Sequence, residues 1–158
     1  MGEARTTELL EKIVNGSKYI ASHYDTDIDI SGPKQISITT GASPAYMTIT
    51  TRLSGAAVGV LNTGLVIGTG GSAAAGDAVT VKARELAATA DNLTAIKSDY
   101  VLGSTGQSAG TAVETKYLLS GEVNTFKYRL KASTAYGLVI TSVADNNAGT
   151  ITFEFDEA

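Results

Sequence analysis

The chain has 158 residues, 43% of them hydrophobic and 18% charged, with no cysteine and a net charge of −4. That length fits one domain with a sizeable core, and the balance of residues favours folding over disorder. The net charge argues against a phosphate-tracking nucleic-acid surface, which needs clustered Lys and Arg, and the missing cysteines exclude disulfides, thiolate chemistry and thiolate metal sites. Gly, Ala, Ser and Thr make up nearly half of the residues, which leaves few large side chains for an active site. Gly2-Glu3-Ala4-Arg5 leads into polar residues and does not read as a signal peptide. No apolar run approaches the ~20 residues of a membrane span, so no membrane partner is expected.

In chain order, residues 6–15 read as a short helix with Leu9, Leu10, Ile13 and Val14 on one face, a Glu8–Lys12 pair and a stop at Asn15-Gly16. Residues 1–22 are expected as an N-terminal helix or arm and 23–158 as one β domain. The apolar face of the arm is a candidate docking surface for a partner subunit.

Tyr24 to Ile30 alternates as a first strand, with Tyr24, Thr26, Ile28 and Ile30 on one face and Asp25, Asp27 and Asp29 on the other. Ile36 and Ile38 mark a second strand. Met47, Ile49, Thr51 and Leu53 oppose Tyr46, Thr48, Thr50 and Arg52 on a third, and Tyr46 is the best candidate for an exposed aromatic contact. The two prolines fall in turns.

Val58–Leu61 and Leu65–Ile67 read as two short strands around Asn62-Thr63-Gly64. Ala78 to Ala83 reads as one strand. Arg84 to Lys97 carries Leu86, Ala90, Leu93 and Ile96 at helical spacing. Tyr100–Leu102 and Val113–Ser120 are further strand candidates.

The last stretch is the most regular. Phe126, Tyr128 and Leu130 alternate with Lys127, Arg129 and Lys131. The run from Tyr136 to Val143 is apolar on both faces, which suits a central covered strand. Ile151, Phe153 and Phe155 alternate again. These three strands read as an antiparallel meander that holds all three phenylalanines and therefore the core. Turn signals about every ten residues point to an all-β sandwich or barrel.

No catalytic constellation emerges. Asp25-x-Asp27-x-Asp29 opens like an EF-hand loop, but Ile30 stands where the loop needs Gly and Ile36 where it needs Glu. Gly68-Thr69-Gly70-Gly71-Ser72-Ala73 fits a dinucleotide pattern, yet a strand follows where a helix must open. His23 is the only histidine, and no Gly-x-Ser-x-Gly elbow accompanies it. The expectation is a non-enzymatic protein with no cofactor, no metal, no small-molecule substrate and no nucleic-acid partner.

The short N-terminal helix, HYDTDIDISGPKQISI, the Ala/Gly/Thr-rich strands and the closing TAYGLVITSVADNNAGTITFEFDEA together resemble the small β-rich virion proteins of tailed bacteriophages, especially capsid decoration (cement) proteins. The resemblance implies a jelly-roll β-sandwich, a homotrimer, and a place on the outer capsid surface bound to the major capsid protein after synthesis in the host cytoplasm. It implies no catalytic residues. A glycan-binding adhesin or tail-fibre module is the alternative that loop tyrosines would serve.

Overall fold

The computed structural model describes residues 18–28, 34–53, 61–67, 77–85, 89–101, 111–118, 121–141 and 147–157. Among these the chain forms only β-strands: β1 (Lys18–Ile28), β2 (Lys34–Thr39), β3 (Ala45–Leu53), β4 (Leu61–Ile67), β5 (Asp77–Ala78), β6 (Val81–Ala83), β7 (Ala95–Val101), β8 (Thr111–Leu118), β9 (Val123–Leu130), β10 (Ala135–Thr141) and β11 (Asn147–Glu157). They build two antiparallel sheets. Sheet A runs β6-β1-β11-β3-β9 and sheet B runs β5-β7-β2-β10-β4-β8. The expected N-terminal helix, with Leu9, Leu10, Ile13 and Val14, lies outside the described residues.

Alternation sets the inner layer. In sheet A the register stacks Ala21, Phe153, Ile49 and Phe126 in one row across four strands, and Tyr19, Phe155, Met47 and Tyr128 in the next. Sheet B contributes Ile36, Ile38, Tyr136, Leu138 and Ile140, and the buried side chains of both sheets form one cluster, so the sheets make a sandwich. Phe153 and Phe155 are fully buried at its centre. The expected placing of the core on the phenylalanines holds.

The expected meander does not. β9 and β11 belong to sheet A and β10 to sheet B, and none of the three pairs with another. The chain crosses between sheets after β9 and again after β10. Two such crossings, residues 40–44 and 131–134, are tied together. The Thr40 amide donates to the Thr134 carbonyl at 3.1 Å, and the Ser133 amide donates to the Gly41 carbonyl at 2.7 Å. The Thr40 hydroxyl donates to the Lys131 carbonyl at 2.6 Å and accepts from the Thr134 amide at 3.0 Å. Ser133 takes a left-handed φ of 50° to make the bend. A short polar turn signals a reversal but not whether the next strand stays in the same sheet.

Four other expectations are corrected. β1 has Tyr24 exposed and Asp25 turned inward, the reverse of the expected faces. Asp25 pairs with Gly149 but Ile28 with Asn147, so β1 carries one extra residue there, and this bulge swings Ile28 into the core. The two short strands around Gly64 are one strand, β4, hydrogen-bonded on both sides by β10 and β8. Ala78 to Ala83 is split between β5 in sheet B and β6 in sheet A, with Val79 buried at the crossing and its amide on the Ile96 carbonyl.

Finally, the helical spacing from Arg84 to Lys97 does not produce a helix among the described residues. The stretch ends in β7, with Ile96 buried and Leu93 exposed. The Glu157 carboxylate accepts from the Leu93 amide at 3.0 Å and from the Thr94 amide and hydroxyl at 2.7 and 2.6 Å. Those bonds hold the backbone extended and take the N–H groups that a helix would use.

Candidate functional site

The inner layer of sheet A is closed, so anything the sheet recognises must meet its outer face. Alternation puts Lys127 and Arg129 of β9, and Tyr46, Thr48, Thr50 and Arg52 of β3, on that face. Register then brings together residues distant in sequence. One row reads Lys18, Asp156, Tyr46, Arg129; the next reads Ile20, Glu154, Thr48, Lys127; a third is all hydroxyl, Ser22, Thr152, Thr50, Thr125.

Tyr46 is 46% exposed and stands at the centre of the first row. Arg129 lies with its guanidinium carbon 5.7 Å from the ring centroid, and its Nε donates to the Tyr46 hydroxyl at 3.1 Å. The pair is therefore pre-positioned: the guanidinium fixes the ring and the ring fixes the guanidinium. On the other flank, Lys18 Nζ is 3.6 Å from Asp156 Oδ1, and both side chains are largely buried. Between these pairs lies a shallow cleft of about 340 Å³ lined by Lys18, Tyr46, Thr48, Lys127, Arg129 and Asp156. It offers an aromatic face, hydroxyls, two outward cations and one carboxylate. Such a set can hold a polar or anionic group by charge-assisted hydrogen bonds.

The other sequence candidates lie elsewhere. His23 Nε2 is 3.9 Å from Asp25 Oδ2 at the inner end of β1, away from the Tyr46 cleft. Asp29 lies outside the described residues, and nothing is assigned to the side chain of Asp27. Among the described residues no three of His, Asp and Glu come close enough to hold a metal ion, and no helix is long and apolar enough to cross a membrane. Across the sandwich from β9 to β8, the Tyr128 hydroxyl donates to the Glu114 carboxylate. Desolvation, then that hydrogen bond and the carboxylate charge, push the Tyr128 phenol up to about 12.

Arg129 and Lys127 were legible as the polar side of a strand but not as neighbours of Tyr46. The missing signal is the pairing of β3 with β9, which are separated in sequence by nearly half of the chain.

No protein family and no curated protein sequence matches the chain. Among solved structures it is similar to the Clostridium thermocellum endo-1,4-beta-D-xylanase 10B CBM22-1–GH10 modules complexed with xylohexaose, at 9% identity and a TM-score of 0.34 over 90% of this chain and 26% of that one. It is similar to the acidic stable capsid structure of Helicobacter pylori bacteriophage KHP30, at 9% identity and a TM-score of 0.33 over 88% and 86%. A third is the massively expanded equine rhinitis A virus particle, a picornavirus capsid, at 8% identity and a TM-score of 0.28 over 90% and 67%. The chain thus spans about a quarter of the xylanase, and the similarity to the two viral capsids is weak. No function passes from any of the three to this chain.

Proposed function

We propose that the protein is a non-enzymatic structural protein of a tailed-phage virion, a capsid decoration protein that binds the outer surface of the head. The carrying observation is the strand pairing. β1 pairs with β11, β2 with β10, β3 with β9 and β4 with β8. Laid side by side these give β1-β11-β3-β9 over β2-β10-β4-β8, with β5, β6 and β7 added at the edges. A long hairpin rolled into two interleaved sheets is the wiring of a jelly roll, a fold that viral capsid domains and lectins use. The wiring supports the jelly-roll reading, and the sequence resemblance to phage decoration proteins selects the virion among the functions the fold hosts.

The mechanism is thermodynamic. A protein that binds the assembled lattice and not its separated subunits stabilises assembly by mass action. The partner is the major capsid protein, and a homotrimer that engages several capsid subunits at once gains from avidity. The test strips the protein from virions, measures survival on heating, and adds it back. Restored heat resistance, together with a trimeric mass by light scattering, supports the reading. Equal robustness with and without the protein sinks it.

The alternative is a glycan-binding module. The exposed Tyr46 ring beside a hydroxyl-lined cleft favours it. Binding of purified protein to a polysaccharide, lost in Tyr46→Ala while capsid binding is absent, would replace the first reading with the second.

A further inference from the structure

The outer face of sheet A differs in charge from the chain as a whole. Six cationic side chains reach it: Lys18, Arg52, Lys82, Arg84, Lys127 and Arg129. Arg52, Lys127 and Arg129 do so by alternation, Lys18 and Lys82 by register beside Ile20 and its neighbours, and Arg84 through its 2.9 Å bond to outward-facing Glu154. Among the residues of its strands whose side chains are described, two carboxylates, Glu154 and Asp156, stand on the same face. A chain of net charge −4 therefore presents one sheet face with a positive excess. That face also carries exposed apolar surface. Of the five exposed large hydrophobic side chains among the described residues, Tyr24, Tyr46 and Val123 stand on it.

We infer that this face docks a carboxylate-rich protein surface. Tyrosine and arginine at the centre of a patch, with hydroxyls and charges around them, match the composition of protein interfaces. The shape is also suited to a protein: the Ser22, Thr152, Thr50, Thr125 row is a flat band of short side chains that lets a partner backbone approach. Five strands spaced about 4.8 Å apart and rows spanning about 20 Å give a face of roughly 500 Å². That falls well short of the ~800 Å² that one partner contributes to a standard interface. One copy alone binds weakly, and complementary charge supplies steering and orientation.

The inference does not depend on the virion reading, because a probe polypeptide takes the place of the capsid in its test. Fluorescein-labelled poly-L-glutamate of about 20 residues is titrated with the full chain at low salt, and labelled single-stranded oligothymidylate of similar charge serves as the counter-probe. The expected result is an anisotropy rise with poly-glutamate that weakens about tenfold or more between 50 and 200 mM NaCl. Arg129→Glu should weaken binding about fivefold or more. Lys97→Glu, an identical charge change on sheet B, should weaken it less than about twofold. Lys127→Glu repeats the test if Arg129→Glu does not fold, and an unchanged melting midpoint certifies each variant. The inference is overturned by no binding at 50 mM NaCl, by equal loss in Arg129→Glu and Lys97→Glu, or by tighter binding of oligothymidylate than of poly-glutamate. It is also overturned if either sheet A variant dissociates a homo-oligomer, because the face would then be an interface between copies.

Discussion

On the outer side of β2, Gln35 is fully buried and Ser37 is 3% exposed; on the outer side of β3, Tyr46 is 46% exposed and Thr48 and Thr50 are half-buried. Both strands carry polar residues on that side, Gln35 and Ser37 in β2 and Thr48 and Thr50 in β3. Their surroundings differ. Sheet B is closed on its outer side at Gln35, Ser37 and Gly137, where an added Cβ on Gly137 would lie 2.7 Å from Gln35 Nε2. Sheet A is open there and carries the charge and the tyrosines. Polar alternation thus identifies which residues share a face but not whether that face meets solvent. In this sandwich the closed face is structural, and the open one is free to recognise a partner.

The largest expected effect comes from the layer that the two sheets share. Phe153→Ala empties a fully buried site between them and should cost about 3–5 kcal/mol in denaturant unfolding. A loss near zero would mean that the two sheets are not packed through this residue. A matched pair of substitutions then separates the outer faces. Ser37→Glu places a carboxylate in a closed site and should cost about 3–5 kcal/mol, as an uncompensated buried charge does. Thr50→Glu places the same group on the open cationic face and should change stability by no more than about 0.5 kcal/mol. Similar losses at both positions would erase the distinction between the faces.

A smaller effect is expected where the sheets are tied at the end of the central strand β11. Glu157 ends β11 in sheet A and holds Leu93 and Thr94 just ahead of β7 in sheet B. Glu157→Ala should cost about 2 kcal/mol, because two amides and a hydroxyl lose their acceptor. The unfolding midpoint in urea measures it, and an unchanged midpoint would show that the tie contributes nothing. Gly41 belongs to the same contact, since a Cβ there would stand 2.3 Å from the Leu93 Cβ.

The smallest effect is confined to alkaline solution. Tyr128 bridges two edge strands, from β9 to Glu114 on β8, and its phenol is pushed up to about 12. The unfolded chain releases that proton near the ordinary value of about 10, while the folded chain holds it. The contribution is therefore complete below about pH 10 and is lost as pH rises through about 12. Tyr19 is shifted in the same direction by burial and then by the charges of Glu157 and Asp91. Melting temperature followed from pH 8 to 12 should fall over that window, and less steeply in Tyr128→Phe. An identical slope in the variant would remove Tyr128 from the account.

Strand existence was well marked in the sequence. Phe126 and Leu130, Met47 and Ile49, and Ile151, Phe153 and Phe155 all lie where period-two alternation puts them, inside the sandwich. The run from Tyr136 is central, as its apolar faces suggested, between β2 and β4. At the candidate site, Tyr46 was visible as an outward aromatic but its partners were not. Net charge does not report local charge, because −4 is a total over the chain and says nothing of which cations register places together.

The sequence by itself determined which residues share a face along an unbroken strand, because that follows from local backbone geometry and needs no partner. It also placed reversals at residues 41–44 and around 132–135, where small and polar residues fill the turns. Only the tertiary structure decided which strands pair and which sheet each joins. The bonds of Thr40 with Thr134 and of Gly41 with Ser133 link turns about ninety residues apart. The inward swing of Ile28 depends on a bulge defined against β11. The Tyr46–Arg129 pair exists because β3 and β9 meet in one register. Long-range pairing of this kind is selected by the free energy of the whole core, in which Phe153 and its neighbours must be covered from both sides at once.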